Sequence, residues 1–184
     1  MKTMGFMCKG MAVSSVSLLC VCIMLLIGTV MVFPGSITGE DKANKPMVKG
    51  SLIFEKTTVN FNDVVAVSGN FDGVSKTIVY LTDKLGDRNE AVKGLLKNGS
   101  YGGPSLSNRL ELTFNPKGDL KYYFFYVRQG TTDRNVGKAP EDIKSETTIS
   151  KGRAKGHVFV EKPLEVFEKK YKFDVTFDVD IISK

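Results

Sequence analysis

KYKFDVTFDVDI, residues 170–181, is the stretch whose reading decides the fold. Tyr171, Phe173, Val175, Phe177, Val179 and Ile181 alternate without a break with Lys172, Asp174, Thr176, Asp178 and Asp180. Side chains on a strand point to opposite faces in turn, so this period of two puts every apolar residue on one side and every polar residue on the other. A helix would scatter the same residues around its circumference. The stretch is therefore a long half-buried strand, and its apolar face calls for a core supplied by the rest of the chain.

Working back from it, the expected strands are Val48–Glu55, Thr58–Gly69, Lys76–Thr82, Asn108–Asn115, Leu120–Arg128, Lys144–Ser150 and Arg153–Lys162, each rich in β-branched and aromatic residues. In the second of these the polar pair Asn62-Asp63 interrupts the alternation of Val59, Phe61, Val65 and Val67 and predicts a bend or bulge. Asn115-Pro116-Lys117-Gly118-Asp119 predicts a tight hairpin turn, with Pro early and Gly late. Its first strand puts Leu110, Leu112 and Phe114 on one face, and its second, aromatic on both faces, reads as a central strand covered on each side.

One helix is expected, over Asp87–Lys97, with Asp87 as N-cap, Glu90 three residues on, a face of Ala91, Val92, Leu95 and Leu96, and Asn98-Gly99 as its stop. Pro163–Lys169 reads as a connector and Gln129–Asp142 as a polar loop of about 14 residues. The sum is a mainly β chain, an antiparallel β-sandwich or partly open barrel of about eight strands with one short helix.

Ahead of the domain lies Met11–Phe33, 23 residues without a charge, following Lys2 and Lys9. That length exceeds the roughly 20 residues a helix needs to cross a bilayer. Two readings stay open: a signal peptide cleaved after Gly39, or an uncleaved anchor with its N-terminus in the cytoplasm. The expected organisation is a signal or anchor segment over 1–39, a linker over 40–47 and an extracytoplasmic β-domain over 48–184. The domain would be secreted, periplasmic or held to the membrane by a single span.

Composition supports export and excludes several functions. Cys8, Cys20 and Cys22 all precede residue 40, which leaves the domain with neither a disulfide framework nor a thiolate metal site. The net charge of +6 falls to +4 once Lys2 and Lys9 are set aside, and the basic residues are scattered. Nucleic-acid binding, which needs a clustered basic stripe, is therefore not expected. The sequence contains no P-loop, no dinucleotide fingerprint and no Gly-x-Ser-x-Gly elbow.

From Val48 to Ile181 the order of elements resembles a group of small exported bacterial β-rich proteins to which no activity is assigned. The likeness is carried by Thr77-Ile78-Val79-Tyr80-Leu81-Thr82-Asp83 before the helix, by Leu110-Glu111-Leu112-Thr113-Phe114 with the Pro116-Lys117-Gly118 turn, and by Gly152-Arg153-Ala154-Lys155-Gly156 through Tyr171–Asp178. The resemblance implies a compact exported module. It carries no catalytic residue across.

No residue is assigned as catalytic, cofactor-binding or metal-binding, for reasons that differ from one candidate to the next. His157 is the sole histidine, so any His-based mechanism runs through it, yet it reads as a lone edge or surface residue. Asp174, Asp178 and Asp180 share a strand face, but positions two apart are about 6.7 Å apart, too far for one ion without ligands from neighbouring strands. Tyr122, Tyr123 and Tyr126 could present rings to a sugar or peptide, with core packing the favoured reading. Glu165 and Glu168 read as solvated, and Tyr101-Gly102-Gly103-Pro104 as a connection.

The function expected is binding or cell-envelope structure without catalysis, with a membrane, an envelope component or a protein as partner. The alternatives are a small hydrolase whose site assembles only in space, and an inhibitor or partner-binding protein using residues 129–142.

Overall fold

The structure, a computed structural model, describes residues 45–103, 107–129, 131–138 and 141–184, and for 129 and 131–138 the backbone alone. The apolar segment and the linker up to residue 44 lie outside the described residues. Among those described, no helix is long and apolar enough to cross a membrane.

The alternating stretch at 170–181 forms the greater part of β11 (Lys169–Ser183), the strand on which the sheet is assembled. Along one edge it pairs antiparallel with β1 (Met47–Phe54), and along the other with β9 (Arg153–Val160). β2 (Thr57–Asn60) adds to β1, β8 (Ile143–Ser150) adds to β9, and β10 (Leu164–Val166) pairs with the start of β11. Residues 181–183 then leave this wing and pair in parallel with residues 66–68 of β3 (Asp63–Phe71). From β3 a second wing continues antiparallel through β4 (Val74–Thr82), β5 (Arg109–Phe114), β6 (Leu120–Gln129) and β7 (Thr131–Lys138).

The chain is thus mainly β, a mixed sheet of eleven strands with one helix among the described residues. Four expectations are corrected. The count exceeds eight because β2, β7 and β10 are separate strands that the sequence pattern does not mark. The sheet is not wholly antiparallel, since β11 reaches β3 with the same direction. The stretch 58–69 is two strands on different wings, and Phe61-Asn62 is the passage between them. Within the expected loop 129–142, residues 131–138 form β7, whose polar sequence hides a ladder made by backbone groups.

The inner faces of the two wings meet in one core. Phe54 packs tilted against Phe125 with ring centres 5.6 Å apart, and Phe114 tilted against Phe177 at 6.1 Å. Phe173, Val175 and Val179 are buried on the same face of β11 as Phe177. Burying each such side chain contributes about 1.5–3 kcal/mol. The hydroxyls of Tyr123 and Tyr171 lie 2.6 Å apart inside the core, each supplying the partner that a buried polar group requires. Gly50 in β1 has φ 117°, and a Cβ there would lie 2.0 Å from the Asp174 carbonyl oxygen, so only glycine lets β1 close on β11.

A second, smaller core lies on the outer face of β3 and β4. Val65, Val67, Ile78 and Tyr80 are covered there by Leu85 and by Ala91 and Leu95 of α1 (Arg88–Asn98). The helix begins where expected: Asp87 Oδ1 accepts the backbone N–H groups of Asn89 at 2.7 Å and Glu90 at 3.0 Å. It stops at Gly99, whose φ of 69° turns the chain and whose N–H donates to the Leu95 carbonyl.

Candidate functional site

The helix covers only the β3–β4 half of the second wing's outer face, and strand register decides which residues occupy the other half. In β5, Leu110 and Leu112 point into the core, so Arg109 and Glu111 point outward. Register places Tyr80 of β4 and Phe124 of β6 on either side of Glu111, and Thr82 and Tyr126 on either side of Arg109. A charged pair therefore sits in the middle of an aromatic surface, just beyond the helix. The chain leaving the helix, Ser100 to Gly103, closes over it.

The Arg109 guanidinium lies 5.0 Å from the ring centre of Phe124 and 5.0 Å from that of Tyr126. Its Nη1 donates to the Gly102 carbonyl at 2.6 Å. Its Nε lies 3.2 Å from Glu111 Oε1, close enough for an ion pair yet misaligned for a hydrogen bond. Both side chains are largely withdrawn from water, 14% and 8% exposed. Ser100, Arg109, Glu111 and Phe124 line a cavity of about 310 Å³.

Burial dominates the electrostatics. Loss of water pushes the Glu111 carboxyl up to about 7, even though Arg109 and a hydrogen bond from the Tyr101 backbone both pull it down. Burial likewise pushes the Tyr80 phenol up to about 12, against the pull of Arg109. The Tyr80 hydroxyl and Glu111 Oε1 are buried without a hydrogen bond among the described residues. Tyr101 packs against Tyr80 with ring centres 5.7 Å apart. Gly103, φ 68°, crosses so close that a Cβ there would stand 2.7 Å from the Tyr80 hydroxyl.

Nothing in residues 109–111 announces this site, because an alternating Arg-Leu-Glu-Leu reads as a strand with a solvated polar face. The signal that exists is the row Tyr122, Phe124 and Tyr126, aromatic on the face away from the core. The expectation that a helix or second layer covers that face is corrected: Arg109 lies over two of the rings, while Tyr122 is 56% exposed. Tyr123 points the other way, into the core.

The remaining candidates lie elsewhere and apart. His157 Nε2 is 2.8 Å from Asp174 Oδ1, and its ring stacks on Phe159 at 4.5 Å, so this histidine is partnered rather than lone. Arg153 bridges Asp178 and Asp180 at 2.5 Å each, which divides the three aspartates between two partners. Among the described residues no group of acids, histidines or cysteines is arranged to hold a metal ion. Glu165 lies on β10, and Glu168 on the turn into β11. In that turn Phe167 and Glu168 both adopt positive φ, 49° and 63°, and Phe167 is 85% exposed.

No protein-family model, curated protein or solved structure matches the chain.

Proposed function

We propose that the chain is an exported or membrane-tethered β-domain that acts in the cell envelope by binding rather than catalysis, with its ligand in the cavity beside Arg109 and Glu111. The observation that carries this reading is the combination found there: a cavity of about 310 Å³ whose wall includes a nine-tenths buried carboxyl, one oxygen of which meets Arg109 at 3.2 Å without forming a hydrogen bond among the described residues. A buried acceptor left without a hydrogen bond costs up to about 1–3 kcal/mol, a cost that the ion pair with Arg109 offsets in part and that a ligand's hydrogen bond would reduce further. A pocket with a few convergent polar groups is the ordinary form of a small-molecule site.

Catalysis is the weaker reading because the histidine and the buried carboxyl stand on different wings. The His157–Asp174 pair is on an outer face, with both side chains more than a third exposed. We read the two facing wings as a β-sandwich, a rigid frame suited to presenting a fixed site. The apolar run 11–33 and the likeness to small exported bacterial β-rich proteins support the location.

The test is a thermal-shift screen of the full-length chain in detergent micelles against small carboxylates, amines, saccharides and short peptides, alongside Ser100→Trp, which fills the cavity. A compound class that raises the melting temperature of the wild type but not of the variant supports the reading. Equal shifts in both, or none in either, refute it. N-terminal sequencing of the membrane and secreted fractions tests the location: Glu40 as first residue means cleavage, an intact Met1 means an anchor, and recovery in the cytosol alone refutes export.

A further inference from the structure

The two members of the Arg109–Glu111 pair are not held equally. Arg109 is fixed in three ways: by the rings of Phe124 and Tyr126 and by the carbonyl of Gly102. Glu111 meets it at 3.2 Å with poor alignment, accepts one hydrogen bond from the Tyr101 backbone, and leaves Oε1 without a hydrogen bond among the described residues. The guanidinium is thus a built fixture of the cavity wall, and its counter-charge is the exchangeable part. A planar guanidinium stacked on aromatic rings is the side chain best shaped to take both oxygens of a carboxylate.

Resting on the binding role proposed above, we infer that the cavity is a site for a small organic carboxylate, which pairs with Arg109 in place of Glu111 while Glu111 takes up one proton from solvent.

The groups around Glu111 fix the charge balance. The titratable and charged groups acting on it among the described residues are Arg109 on its own strand, Tyr80 on β4 and Tyr101 in the segment after α1, while Tyr126 on β6 stands opposite Arg109. Burial raises the Glu111 carboxyl to about 7, so Glu111 is the member of this set that burial brings into the neutral range. With Glu111 ionised, an incoming carboxylate meets a like charge inside a water-poor cavity. With Glu111 protonated, the cavity holds one desolvated cation without a counter-charge. An amine is repelled by Arg109 in either state. A phosphate dianion brings two charges to one guanidinium.

Glu111 titrates at about 7, so the fraction of protein competent for a carboxylate is about one in eleven at pH 8 and ten in eleven at pH 6. Calorimetric titration of the full-length chain in detergent micelles with butyrate and benzoate is therefore expected to give about tenfold tighter binding at pH 6 than at pH 8. Repeating the pH 8 titration in buffers of different ionisation heat should show uptake of close to one proton. Glu111→Gln should bind equally at both pH values, and Arg109→Gln should not bind. Should Arg109→Gln fail to fold, the proton count and the flat profile of Glu111→Gln decide the matter.

Equal affinity at pH 6 and pH 8 in the wild type overturns the inference, as does a pH dependence that survives in Glu111→Gln. Binding of glucose, butylamine or inorganic phosphate in preference to the carboxylates overturns the carboxylate while the cavity's binding role stands, provided Ser100→Trp abolishes it. If no probe binds and Ser100→Trp behaves as the wild type, both fall.

Discussion

Replacing Glu111 by Gln keeps the shape of the side chain and removes its titration. In the folded protein the carboxyl holds its proton up to about pH 7, against an ordinary value of 4.5. Between those two values the folded state binds more protons than the unfolded state, so stability is fully present below about 4.5, falls as pH rises, and levels off above 7. At 1.36 kcal/mol for each tenfold change, the loss is on the order of 3 kcal/mol. Gln has no such loss.

The Gln variant should therefore match the wild type within about 0.5 kcal/mol at pH 4.5 and exceed it by about 3 kcal/mol at pH 8.5, roughly 10 °C in melting temperature for a domain of this size. Urea denaturation followed by far-UV circular dichroism at half-unit pH steps measures the difference directly. Two curves separated by a constant offset would refute the reasoning, because the carboxyl would then titrate as it does in the unfolded chain. A variant less stable than the wild type at pH 8.5 would show that attraction to Arg109 outweighs the cost of burial.

Arg109→Met should act in the opposite sense, costing about 3–5 kcal/mol at pH 8.5, where it strands a buried carboxylate, and much less at pH 5, by the same titration. Gly50→Ala should cost well over about 2 kcal/mol, since a Cβ 2.0 Å from the Asp174 carbonyl forces β1 away from β11; chemical denaturation at pH 7 reads it. Asp87→Ala should cost about 1 kcal/mol by the same measurement, through loss of the two N-cap hydrogen bonds. Phe167→Asn combined with Glu168→Gly should stabilise by about 1–2 kcal/mol, because both positions have positive φ, which these replacements accept.

The parts legible in the sequence are those with a local cause. The alternation of 170–181, the Asp87 cap with its Gly99 stop, and the Asn115 turn each depend on residues within a few positions of one another. In that turn Asn115 Oδ1 accepts from the backbone N–H groups of Lys117 and Asp119, and Gly118 has φ 90°. The hidden parts depend on distant residues. β7 has a polar sequence and is a strand because β6 lies beside it. Phe61-Asn62 looks like a bulge because only the partners of β2 and β3 reveal that the chain changes wings. Arg109 and Glu111 become a buried pair through Ser100 to Gly103 and through the rings of β6, none of which their own segment specifies. Sequence alternation tells which face a residue takes, and a face becomes a site only when something distant covers it.

β11 has a consequence for the order in which the molecule can form. It follows every other described strand along the chain, yet its ladders join β1 to β9 and one wing to the other. A nascent chain that has produced β1 to β10 holds hairpins and a helix without the member that unites them. Pairing Met47 with Asp178 then closes a loop of more than a hundred residues, a slow step because its entropy must be spent before contacts repay it. Cooperative folding therefore waits on synthesis: until the last of these strands has emerged, the earlier hairpins lack the strand that completes their shared core.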